Sequence, residues 1–146
     1  MIRTKKGLPM LLLTVALVAV GCASGGGGAA APAGPTDEEM IQEIIANSLD
    51  ALKAKDIDSM MSTYSDDFSS NQGMDKAGMA QFLKQADEMG MLDGVNVDTS
   101  AMTTTIEGDT AEVAGISLEG AFGALALGFK LEKREGAWVV TYQEQN

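Results

Sequence analysis

The side chains able to do chemistry are few and mostly of one kind. The 146-residue chain has no histidine, one cysteine, two tyrosines, and 21 acids against 10 cations. Without histidine it lacks the commonest general acid–base group and the commonest metal ligand. Tyr64 and Tyr142 are the phenols. Asp66, Asp67, Asp98 and Glu119 fall at expected turns or element ends, where carboxylates usually meet water or cap backbone amides. No acid stands in a pattern that marks a catalytic set, so no catalytic residue is assigned. Met40, Met60, Met61, Met74, Met79, Met89, Met91 and Met102 offer soft thioethers that would suit copper(I). Most of them recur on helix faces that must be buried, and they read as adaptable filling for a core or pocket. Asp93-Gly94-Val95-Asn96-Val97-Asp98 places oxygens at alternate positions, a hint of calcium, but lacks the EF-hand spacing and its closing Glu. It reads as a turn entering a strand with its polar side outward. No metal and no cofactor are expected.

Cys22 is the exception. It ends an apolar run, Leu8 to Val20, that follows a basic start at Arg3, Lys5 and Lys6. This is the layout of an export signal. Ala19-Val20-Gly21-Cys22, with Ala23-Ser24 after it, resembles the lipobox of bacterial lipoproteins, although Ala19 stands where leucine is commonest. The resemblance implies removal of residues 1–21 and acylation of Cys22. A membrane-spanning helix fits less well: at about 1.5 Å per residue the apolar run gives roughly 20 Å, against about 30 Å of hydrocarbon. An ordinary secretory signal with an incidental cysteine is the other alternative. By the same resemblance, the absence of Asp at Ala23 points to the outer membrane, facing the periplasm. The expected location is therefore the cell envelope, with the membrane reached through a lipid anchor.

The formal charge is −11, and −14 once Arg3, Lys5 and Lys6 leave with the signal. Such a surplus opposes nucleic-acid binding, which needs clustered cations on phosphate. It equally opposes electrostatic adhesion to anionic lipid. With one cysteine there is no internal disulfide, so folding must rest on an apolar core. Residues 22–35 are almost all Gly, Ala and Pro and read as a tether. Residues 36–146 have the length of one small domain.

The elements that would position any site follow from periodicity. Thr36-Asp37-Glu38-Glu39 is a capping box. Met40, Ile41, Ile44, Ile45, Ser48, Leu49 and Leu52 then share one helical face. Asp56 caps a shorter helix whose inward residues are Ile57, Met60, Met61 and Tyr64. Phe68 lies in a short extended stretch, and Asn71-Gln72-Gly73 is a turn. A third helix starts at Asp75, with Met79, Phe82, Leu83 and Ala86 as its buried stripe and Gly90 as its terminator. After Gly94 the period changes from helical to alternating. Strands are expected at 110–118, 124–133 and 137–144. Helices followed by a strand meander define an α+β class.

In this order and spacing the chain resembles nuclear-transport-factor-2-like (NTF2-like) domains, the superfamily of ketosteroid isomerases and polyketide cyclases. The residues that carry the likeness are Leu49-Asp50-Ala51-Leu52-Lys53-Ala54-Lys55-Asp56, Tyr64-Ser65-Asp66-Asp67-Phe68, Ile106-Glu107-Gly108-Asp109-Thr110-Ala111-Glu112-Val113, and Leu131 to Val140 around Trp138. The resemblance implies a cone-shaped roll: N-terminal helices packed on a curved antiparallel sheet, open at its wide end to an apolar small molecule. Isomerases of this shape use a buried Asp base with a Tyr and a protonated acid, and no residue here matches that base.

Trp138, Val140 and Tyr142 alternate along the last strand, and that side is expected to look inward. With Tyr64 and Phe82, the residues Trp138 and Tyr142 are the expected cavity lining. Ala124, Ala126 and Gly128 make the opposite side of their strand small and apolar, which suits a homodimer formed through the sheet. The leading expectation is a non-catalytic small-molecule-binding or protein-interaction domain. The alternatives are an enzyme of isomerase, cyclase or dehydratase type with a carboxylate buried in the cone, or a structural partner with a side-chain-filled cone.

Overall fold

A computed structural model describes residues 34–146 of the chain; Cys22, the signal and most of the tether lie outside the described residues. Helix α1 (Asp37–Lys53) begins at the expected box: the Thr36 hydroxyl accepts from the Glu39 amide, and the Glu39 carboxylate accepts from the Thr36 amide. Its buried positions Ile41, Ile45, Ser48, Leu49 and Leu52 form the stripe read from the sequence. Asp56 caps α2 (Ile57–Ser62), which ends two residues short of the Tyr64 that periodicity includes. The Thr63 hydroxyl bonds the Met60 carbonyl at 2.9 Å and lies 2.8 Å from Ser48 Oγ, fixing the helix end to α1. Tyr64 therefore opens strand β1 (Tyr64–Ser70) rather than closing a helix.

Asp75 caps α3 (Lys76–Glu88), and the short strands β2 (Asn96–Asp98) and β3 (Thr103–Glu107) follow. Three long strands complete the chain: β4 (Thr110–Gly120), β5 (Gly123–Arg134) and β6 (Ala137–Gln145). The sheet order is β1-β6-β5-β4-β2, with β3 also on β4. Every pairing is antiparallel except β1 with β6, which is parallel. The antiparallel meander of long strands expected from the sequence is β4-β5-β6. The helices cover one side of the sheet, and α1, α2, α3 and the inward residues of β4, β5 and β6 share one apolar core. The architecture is the expected α+β roll.

One junction controls the edge of the sheet. β3 pairs with residues 110–114 of β4 and β2 with residues 117–119, so the turn between β2 and β3 crosses β4 at Gly115. There the β4–β5 register shifts, and Gly115 takes φ +79°. A β-carbon at that position would stand 2.1 Å from the Ala101 carbonyl oxygen.

The narrow end is held by polar contacts. Asp37, in the first turn of α1, accepts from Trp138 Nε1 at 3.0 Å and from Lys133 Nζ at 2.7 Å. The lysine bond, with the indole bond second, holds the Asp37 carboxyl below its ordinary range. Arg134 at the end of β5 bonds both Asp67 oxygens, at 2.8 and 2.9 Å, and tethers β1 to β5. This guanidinium holds Asp67 well below the usual carboxylate range. A carboxyl with a depressed folded-state pKa stabilises the fold above its unfolded value of about 3.9, and that contribution fades as pH falls further. Wild type should therefore melt above Asp67→Asn near pH 6, and the gap should close steadily below about pH 4. Melting curves at a series of pH values check this; a gap unchanged at pH 2.5 would refute it.

Candidate functional site

The helices and the sheet do not close completely on each other at the wide end. Between α1, α2, α3 and the far end of the β4–β5 hairpin lies a cavity of about 200 Å³. Its floor is buried: Leu52 closes α1, Met60 comes from α2, Met79 and Ala86 from α3, and Leu127 and Gln143 from β5 and β6. Its rim is more open, with Phe82, Met91, Phe122 and Leu125 around the mouth. Phe82 belongs by period to the buried stripe of α3, yet it is 42% exposed because it stands where the cone opens. The polar residues of the lining are Gln143 and Gln145, and among the described residues no ionisable side chain borders the cavity.

Of the four expected lining residues, Phe82 stands at the cavity. Tyr64 is buried behind its wall, ring edge-on to Phe68 with centroids 4.8 Å apart, and its hydroxyl donates to Gln143 Oε1 at 2.9 Å. Burial pushes this phenol above its ordinary pKa, so it stays protonated and acts as a donor. Trp138 is buried as expected but lies at the other end of β6, roughly 20 Å of strand away at about 3.3 Å per residue. Its indole serves Asp37 there.

Tyr142 does not look inward. The β5–β6 register slips between Leu131↔Val140 and Lys130↔Tyr142, which leaves Thr141 as an extra residue. A bulge of this kind reverses the side of the sheet reached by every later residue. Tyr142 consequently lies half-buried on the outer side, with Lys130 Nζ 6.0 Å from its ring centroid. Gln143 takes the inward place that strict alternation would give to Tyr142, and it is 3% exposed. Sequence reasoning missed Gln143, since Gln143-Glu144-Gln145 carries no apolar alternation to set its phase.

The acids weighed as catalytic sit elsewhere. Asp66 pairs with Lys76 at 3.1 Å, Asp67 with Arg134, and Asp98 accepts from the Ser100 amide at 2.8 Å; the Ser100 hydroxyl, with this amide second, holds the Asp98 carboxyl below its ordinary range. Glu119 is exposed on the outer side of β4. Among the described residues no group of three or more His, Cys, Asp or Glu side chains could hold a metal ion. The outer side of β5 is small at Ala126, which is exposed, while the exposed Ala124 borders the cavity. Gly128 is buried there under Glu144, whose Cγ would stand 3.0 Å from an added β-carbon. Glu112 and Lys130 form an ion pair beside it at 3.0 Å.

No protein-family model matches the chain, and no curated protein does. Solved structures do match. The chain is similar to a protein of unknown function with a cystatin-like fold from Nostoc punctiforme: 16% identity, 75% of this chain and 91% of that one covered, TM-score 0.62. An NTF2-like protein of unknown function from Pseudomonas putida matches at 18% identity over 77% of this chain and 89% of its own, with TM-score 0.62. An NTF2-like protein with a cystatin-like fold from Novosphingobium aromaticivorans matches at 18%, covering 75% and 80%, with TM-score 0.60. At such identities the likeness establishes the fold, which is the NTF2-like, cystatin-like cone. A fold of this kind does not by itself imply one function, so function must be argued from the site.

Proposed function

We propose that residues 36–146 are a non-catalytic module that binds a small apolar molecule, held at the cell envelope by acylated Cys22. The observation that carries the binding reading is the cavity: buried at its floor, open at its mouth, and lined by aliphatic, thioether and aromatic side chains. Sites for small molecules are typically concave and apolar with a few polar groups. The enzyme alternative needs a carboxylate within reach of a bound substrate, and the acids near this chain's turns are taken up by Lys76, Arg134 and Ser100. Met60, Met79 and Met91 make the walls compliant, because a thioether chain repacks at little cost.

Anchoring is supported by the signal-like start, the lone thiol after Gly21 and the Gly/Ala/Pro tether that follows. Two or three acyl chains, at about 0.8 kcal/mol per buried methylene, make a lasting anchor. The proposed place is the outer membrane, facing the periplasm. Two measurements test the two halves separately. Cys22→Ser should move the protein from the membrane fraction to the soluble fraction, or leave it unprocessed; normal maturation and retention would refute the anchor. Native mass spectrometry of the detergent-solubilised full chain should show retained or added small apolar molecules. No adduct with any compact apolar compound at millimolar concentration would refute the binding reading.

A further inference from the structure

The cavity floor contains one polar group whose bonding is incomplete. A buried phenol must donate its proton, and the acceptor the Tyr64 hydroxyl finds is Gln143 Oε1 at 2.9 Å. That bond fixes the orientation of the amide: oxygen towards Tyr64, nitrogen away from it. Among the described residues Gln143 Nε2 makes no side-chain hydrogen bond. Gln143 lines the cavity, and among the described residues the fully enclosed side-chain atom that lacks a partner is Ser65 Oγ, not Gln143 Nε2, so this nitrogen faces open space rather than packed protein. An amide N–H in an apolar pocket, on a residue 97% buried, is costly to leave unmade. A ligand that supplies an acceptor restores the bond.

Resting on the binding reading above, we infer that the ligand class is a compact, neutral, largely apolar molecule with one hydrogen-bond acceptor that meets Gln143 Nε2. Charge follows from the lining. A carboxylate would enter an apolar space with no cation to meet it, and an ammonium would find no anion; either costs far more than one amide can return. The surrounding charge of −14 further repels anions. Size follows from volume: a dry cavity of about 150 Å³ accepts benzene, so the observed space takes a single ring with a short substituent or an aliphatic body of similar bulk. Direction follows from depth. Gln143 is at the floor and Phe82 at the mouth, so the acceptor enters first and the apolar body lies against Met79 and the rim.

Acetophenone, ethylbenzene and benzoate share a ring and differ in the relevant group. Titrated into the full chain in detergent and followed by calorimetry, acetophenone should bind roughly five- to tenfold more tightly than ethylbenzene, the value of one neutral hydrogen bond. Benzoate should bind at least tenfold more weakly than acetophenone. In Tyr64→Phe/Gln143→Leu the ketone preference should vanish while ethylbenzene still binds. The double substitution removes both partners and leaves no orphaned phenol, and circular dichroism checks its fold. Should it fail to fold, the wild-type ratio decides alone. Equal affinity for ketone and hydrocarbon would overturn the role of Gln143 while leaving the pocket standing. Binding of neither compound would instead refute the binding reading itself.

Discussion

Gly115→Ala is expected to destabilise the domain by about 3 kcal/mol or more and to lower its thermal midpoint by roughly 10–15 °C. Two costs coincide at this residue. Its φ of +79° is a conformation that side chains with a β-carbon rarely adopt, and the new carbon would meet the Ala101 oxygen at 2.1 Å and its carbonyl carbon at 2.8 Å. Both obstacles are backbone, and the Ala101 segment is held by the bond from the Met102 amide to the Thr99 carbonyl at 3.0 Å. Relief requires moving the whole β2–β3 turn off β4, which would break edge pairing on either side. Gly136 gives the contrast: it has a similar φ of +82°, but nothing lies within 4 Å of an added β-carbon. Gly136→Ala should cost only the strain, about 1 kcal/mol. Chemical denaturation of both variants measures the difference. Equal losses would mean that the crossing over Gly115 is looser than its geometry states.

The same residue shows where sequence reading stops. Local signals were legible because they depend on neighbours three or four residues away: the Thr36–Glu39 box, the Ile41–Ile45–Leu49–Leu52 stripe, and the Asp56 and Asp75 caps all stand where periodicity and capping chemistry put them. The three long strands were legible through alternation bounded by turn residues. Gly115 carried no warning, since what makes it obligatory is a turn fourteen residues upstream in the chain that crosses it only after folding. The slip at Thr141 was hidden for a related reason. Trp138, Val140 and Tyr142 alternate without fault in the sequence, and only the pairing with Lys130 and Leu131 shows that one residue is extra. That single residue exchanges an expected phenol for an amide at the cavity floor, so it changes the chemistry of the site and not merely its shape. Gly128 and its alanine neighbours could be seen as a small-residue surface, but not the local use of Gly128, which gives Glu144 a place to lie.

Ala86→Leu is expected to weaken binding of any single-ring ligand at least a hundredfold while leaving the thermal midpoint unchanged or a few degrees higher. Ala86 lies in the buried stripe of α3, 3% exposed, and borders the cavity. Three added carbons find apolar space there, worth up to about 2 kcal/mol at about 0.8 kcal/mol each, less the strain of fitting a branched chain. The room they take brings the cavity below the roughly 150 Å³ of a dry cavity that accepts benzene. The two readouts together separate a ligand site from a packing fault. Filling a fault raises stability and removes nothing, whereas filling a site raises stability and removes binding. If acetophenone titrates into Ala86→Leu as it does into wild type, the ligand sits elsewhere, and the space under Phe82 is not where this domain does its work.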